Sequence, residues 1–227
     1  MKYTRVLLFF FFCCYVFLGA GCSVLAPQKD FSKFYTFCAY DSSEKIPDPS
    51  GARPVIINLT VGEIPSYADC PYVVTMSNHG QLILSGIARW AEPLQDACTR
   101  ALTHKLSEFM GDHVTVIPST YTRGNTFFCD FLLSIGISDF ICNEPEKKVV
   151  LDCTWSLFNL ASRRQVLIRR HIKLTPYDGS NYEDIIAAME LALCGLAWDI
   201  AEKIGQICPG AAFVEQGGIG KSQADGS

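Results

Sequence analysis

Four histidines and eleven cysteines are the residues with which this chain could run nucleophilic or metal chemistry, and their spacing argues against both. Eight of the cysteines lie beyond residue 30: Cys38, Cys70, Cys98, Cys129, Cys142, Cys153, Cys194 and Cys208. None forms a Cys-x-x-Cys pair, and no histidine stands at zinc-finger spacing from them. Several fall inside apolar runs, where cysteine serves as a small hydrophobe. In an exported chain one or two disulfides at most are expected, with the pairing open. His79, His104, His113 and His171 show no His-Glu-x-x-His spacing, and no Gly-x-Ser-x-Gly elbow offers a nucleophile. Asp130, Asp139 and Asp152 stand isolated in strand-like stretches, with Asp139 and Asp152 expected on a solvated face. The segment GGIGKS at 217–222 invites a phosphate-loop reading but fails it. The first glycine of such a loop would be Glu215, and only five residues follow Ser222, too few for the required helix. No catalytic, metal or cofactor site is expected. A Cys–His pair assembled only by the fold, as in an exported hydrolase, is the remaining enzymatic alternative.

The elements that would hold such side chains begin with an export signal. Lys2 and Arg5 precede an apolar run from Val6 to Ala20, followed by Gly21-Cys22. At about 15 residues the run is shorter than the roughly 20 a membrane-crossing helix needs, and the pattern is that of a secretory signal peptide over residues 1–21. The ending Gly19-Ala20-Gly21-Cys22 resembles a lipobox, with Gly19 where a larger aliphatic residue is usual. Cys22 is therefore the expected lipidation site. Residues 22–32 are a tether, since several acyl chains on one cysteine suffice for stable anchoring. A net charge of −4 and a pI near 5.6 give no electrostatic reason to expect nucleic acid.

The body, residues 33–208, reads as one α+β domain. Strands are expected at 34–40, 54–62, 72–76 and 81–85, the last two flanking an Asn78-His79-Gly80 turn. A helix opens with Pro93 in its first turn, with Leu94, Ala97, Cys98, Ala101, Leu102, Leu106 and Phe109 on one stripe and Gly111 as its stop. After a strand at 114–117 comes a meander, 127–141, 148–158 and a third strand. Its expected covered faces carry Phe131, Leu133, Ile135 and Ile137, then Val149, Leu151, Cys153 and Trp155, then Val166, Ile168, Ile172 and Leu174. A second helix spans about 181–207, capped by Ser180 or Asn181, with Ile185, Ile186, Met189, Leu193, Leu196, Ile200 and Ile204 inward. Residues 209–227 read as a disordered tail. The sum is a mostly antiparallel (mixed) sheet of six to eight strands with two amphipathic helices on one face.

One stretch is more specific. Arg89-Trp90-Ala91-Glu92-Pro93-Leu94, opening an amphipathic helix, resembles the central motif of the PqiC-like ABC-type transport auxiliary lipoproteins. Other pieces fall in that family's order: Phe34-Tyr35-Thr36-Phe37, then Val61-Gly62, then Ile64-Pro65-Ser66-Tyr67, a meander and a long last helix. The resemblance implies a periplasm-facing lipoprotein, commonly of the outer membrane, serving lipid transport and membrane integrity. Its implied partners are an MCE-domain protein and an ABC permease and ATPase, with assembly as a homo-oligomeric ring. Ser23 after the cysteine resembles the outer-membrane sorting pattern. Tyr67, Tyr72, Arg89, Trp90 and Glu92 are the candidate partner contacts, although Trp90 would also serve as a core plug. A stand-alone envelope lipoprotein that holds an apolar ligand beneath the helices, or scaffolds its neighbours, is the non-enzymatic alternative.

Overall fold

A computed structural model describes residues 3, 30–38, 54–111, 114–122, 129–179 and 181–207. The signal segment, Cys22, His113, Ser180, Cys208, the GGIGKS segment and the rest of the tail lie outside the described residues. The body, Lys33–Ser227, holds every strand and helix that follows. In chain order these are β1 (Lys33–Tyr35), β2 (Val55–Val61), β3 (Tyr72–Met76), β4 (Leu82–Trp90), α1 (Leu94–Met110), β5 (Val114–Pro118), the single turn α2 (Ser119–Thr122), β6 (Phe131–Asn143), β7 (Lys148–Asn159), β8 (Arg164–Pro176) and α3 (Tyr182–Ile207).

The eight strands make one mixed sheet with β6 as its spine. One edge of β6 pairs along its length with β7, which pairs in turn with β8, both antiparallel. The other edge is shared. Its first half, Phe131–Ile135, pairs in parallel with β2, which carries β5. Its last two residues, Cys142 and Asn143, pair with Thr75 and Met76 of β3, and beyond β3 lie β4 and β1. The sheet therefore forks, and the fork exists because a strand of thirteen residues is long enough to serve two shorter neighbours.

Both long helices lie on one face and pack on each other, α1 over β2 and β5, α3 over β7 and β8. Every residue of the two expected helical stripes is buried. They join Leu133, Ile135, Leu151, Trp155 and Leu157 in one apolar cluster, where each full burial of a Leu or Ile contributes about 1.5–3 kcal/mol. Pro93 stands at the cap of α1 rather than in its first turn, its carbonyl accepting from the N–H groups of Asp96 and Ala97. Gly111 ends the helix at φ 65°, a conformation that costs glycine little. At α3, Asn181 Oδ1 accepts from the N–H of Asp184 at 2.8 Å, a side-chain cap reinforced by Glu183 and Asp184 in the first turn.

Three expectations need correction. The first strand is only Lys33–Tyr35, because Phe37 leaves the ladder to enter the core. The strand after the Asn78-His79-Gly80 turn does not stop at Ser85 but runs on to Trp90. Most consequentially, Ile168, Ile172 and Leu174 are not covered; they are 52–63% exposed, and Val166 is exposed too. Register decides this. Cys153, Leu151 and Val149 of the covered face stand opposite His171, Lys173 and Thr175, so those three polar residues sit beneath α3. The aliphatic set turns to the open face.

Candidate interaction site

The Arg89–Leu94 segment forms the corner where β4 leaves the sheet and α1 begins. Trp90 is 6% exposed and stacks against Phe37 with ring centroids 5.3 Å apart, and Phe37 reaches Phe140 on β6 at 6.1 Å. Trp90 thus ties the N-terminal segment to the spine of the sheet from within the core. Its neighbours face outward. The Arg89 guanidinium lies 5.3 Å over the ring of Tyr72 across the β3–β4 pair, a cation–π arrangement. Glu92 binds Arg100, two turns along α1, and accepts from Thr36 Oγ1. The Arg100 hydrogen bond holds the Glu92 carboxyl below the usual carboxylate range, against the opposing effect of burial. Tyr67 donates to Asp139 at 3.2 Å and accepts from the Phe140 N–H at 3.3 Å, and burial pushes its phenol up to about 12. A cleft of about 370 Å³ opens at the corner, lined by Asp69, Cys70, Trp90, Glu92 and Pro93.

The same corner receives the N-terminal segment. Only Lys33, Phe34 and Tyr35 pair with β4, so the short strand relies on side chains. Lys33 Nζ lies 3.0 Å from Glu183 and Tyr35 Oη donates to the same carboxylate at 2.9 Å. Lys33, then the backbone N–H at the start of α3, then Tyr35 hold the Glu183 carboxyl down at about 2. The pair is exposed and screened by solvent, so its role is placement more than stability. Asp139 and Glu183 are far in sequence from the residues they bind, which is why the motif alone did not disclose them.

The fold does gather one Cys–His–Asp set. Cys153 stands opposite His171, whose Nδ1 is 3.5 Å from Asp199 on α3. The thiol is not aimed at the imidazole: Cys153 Sγ lies 3.7 Å from the backbone carbonyl of His171. Cys153 is fully buried, and desolvation pushes its thiol up to about 12. The imidazole is held below its ordinary 6.5, because burial outweighs the pull of Asp199, and Lys173 adds to the lowering. These are features of a packed polar contact rather than of an activated nucleophile. All seven described body cysteines are unbridged, so none of the expected disulfides forms among them.

The sign of the His171 shift carries a prediction. As pH falls below 6.5 the unfolded chain takes up the proton first, so stability is full above that value and declines as acidity approaches the lower folded value. The melting temperature should fall from about pH 7 to about pH 5, and H171Q should flatten that slope. An unchanged slope in H171Q would assign the acid sensitivity to other groups.

Two surfaces outside the corner are apolar and uncovered among the described residues. One is the β8 face of Ile168, Ile172 and Leu174, bordered by the Arg170–Asp152 ion pair. The other is the β3–β4 hairpin, where Leu82, Ile83, Leu84 and Ile87 are exposed. No described helix is long and apolar enough to cross a membrane.

Comparison with known proteins places this geometry. A protein of unspecified function is similar in structure, with a TM-score of 0.57 and 17% identity over 66% of this chain and 92% of its own. A protein from Xanthomonas campestris described under the DUF330 family model is similar at a TM-score of 0.56 and 16% identity, over 79% of this chain and 96% of its own. No protein of curated function matches the chain. The family model described as "ABC-type transport auxiliary lipoprotein component" matches residues 35–201.

Proposed function

The chain belongs to the family of ABC-type transport auxiliary lipoprotein components, and from that premise we propose that it is the membrane-anchored, non-enzymatic subunit of an MCE/ABC-type lipid transport system of the bacterial envelope. In this reading Cys22 carries the lipid, Ser23 directs the protein to the outer membrane, and the body faces the periplasm. There it docks the conduit that an MCE-domain protein builds toward an ABC permease and ATPase.

The observation that supports docking most directly is the open face of β8. A long apolar strip rarely stays wet on a protein that works alone, and exposed patches of this kind mark interaction surfaces. Among the described residues β8 is also an edge strand, with a row of backbone donors and acceptors that a partner, or a neighbouring copy in a ring, can use. Tyr67, Tyr72, Arg89 and Glu92 form a second contact region around the corner cleft, with Trp90 holding them from behind.

The test is recovery of partners from native membranes. A chain tagged at its C-terminal tail and extracted in mild detergent should bring down an MCE-domain protein with an ABC permease or ATPase. I168D, opposite the neutral Ser156, should lower that recovery severalfold, while unfolding free energy falls by no more than about 1 kcal/mol, the span of strand propensity. A wild-type chain that emerges alone from crosslinked membranes would remove the transport reading. It would favour a stand-alone ligand binder, for which a cleft of about 730 Å³ between α1 and the β5–α2 segment is the specific observation.

A further inference from the structure

We infer that the β3–β4 hairpin is a second membrane contact, resting shallowly in the headgroup and upper acyl region of the same bilayer that holds the N-terminus; this rests on the reading of Cys22 as the lipid anchor. From Cys70 to Ala88 the chain has no Asp, Glu, Lys or Arg, in a protein with 19% charged residues. Within that span Leu82, Ile83, Leu84 and Ile87 are 38–56% exposed, and the turn between the strands, Asn78-His79-Gly80, is polar but carries no fixed charge. An uncharged, apolar-sided hairpin is what an interface tolerates, since a fixed charge there would have to be desolvated.

The direction of β1 points the hairpin the right way. Lys33, Phe34 and Tyr35 pair in parallel with Ala88, Arg89 and Trp90, so the start of β1 faces back along β4 toward the hairpin turn. The chain that leads from the anchor therefore enters the body from the side to which the hairpin projects. From Ala88 back to Leu82 is six residues, about 20 Å of strand. Ten residues lie between Cys22 and Lys33, a span of at most about 40 Å when fully extended. The tether is long enough to let the hairpin reach the surface and short enough to keep it within range. Phe34, exposed on β1 itself, adds an aromatic on the same approach.

Depth is limited by the backbone. Among the described residues the outer edge of β4 from Leu82 to Ile87 has no strand partner, and unpaired peptide groups are costly in hydrocarbon but are hydrated at headgroup level. The β8 strip is a poorer candidate for lipid. It is interrupted by Arg170, which pairs with Asp152 on the same face, and it lies at the opposite end of the sheet order from β1.

The test uses the full chain purified from host membranes and reconstituted into vesicles of phosphatidylethanolamine and phosphatidylglycerol, with or without brominated acyl chains. The emission that L84W adds over the wild-type chain should fall severalfold in brominated vesicles, while that added by I168W should not. Added emission unaffected by bromine, on vesicles that still carry the protein in flotation, would overturn the contact. So would blue-shifted but unquenched emission, which would mean that protein covers the hairpin. Incorporation of labelled palmitate is measured separately and reads the Cys22 anchor alone. If label is absent the anchor reading fails, and bromine quenching still decides the hairpin.

Discussion

Replacing Trp90 with alanine is expected to lower the unfolding free energy by about 3–5 kcal/mol, the usual cost of truncating a buried aromatic residue. Against a typical total of about 5–15 kcal/mol this would leave the body marginal. The expectation rests on what the ring touches. Trp90 is nearly buried and supports Phe37, which is fully buried and reaches Phe140 on the central strand. Because β1 has only three residues in its ladder, Phe37 is what keeps the N-terminal segment against the sheet. W90A should therefore also make the segment around Tyr35 open to protease before the body unfolds. W90F, which keeps most of the apolar contact, should lose much less. Urea denaturation with limited proteolysis measures both effects, and a W90A loss below about 1 kcal/mol would mean that the corner collapses around the void.

The second large effect is chemical silence. With its thiol raised from an ordinary 9.0 to about 12, Cys153 should carry a thiolate fraction about a thousandfold lower than an unperturbed cysteine. Burial adds a steric barrier. Iodoacetamide applied to the native protein should label exposed Cys38 and leave Cys153 and Cys98 unmodified until the chain is unfolded; burial raises the Cys98 thiol even further. Rapid native-state labelling of Cys153 would revive the hydrolase alternative. Slow labelling with retained partner recovery would remove its motive.

The two helices were fully legible in the sequence, because a stripe repeating every three or four residues both identifies the element and names its buried side. Strands are less informative. Alternation in 164–176 shows that Ile168, Ile172 and Leu174 share a face but not which face the helices cover. Pairing with β7 settles that, and it put His171 and Lys173 beneath α3 instead. The forked edge of β6 was invisible for a related reason, since no local pattern states that one strand has two neighbours on one side. At the corner, the sequence named Trp90 and Glu92 through a motif, whereas Phe37 and Thr36 come from a separate segment that only the fold brings to them, and Arg100 meets Glu92 because α1 turns it back toward the corner. The Tyr67–Asp139 contact, 72 positions apart, likewise left no signature.

The fork also fixes how the molecule bears load. Were the chain held at Cys22 and by a partner elsewhere, as proposed, the pull would enter through β1. Along the sheet it would pass to β4 and β3 and cross to β6 at two residue pairs, Thr75–Cys142 and Met76–Asn143, while Lys33 and Tyr35 would hand part of it to Glu183 on α3. At that crossing the strain falls on interlocked side chains such as Phe37, Trp90 and Phe140 more than on main-chain bonds. Under such a pull the hairpin wing would give way before the long β6–β7–β8 ladders, leaving the meander and its open face intact and still able to grip.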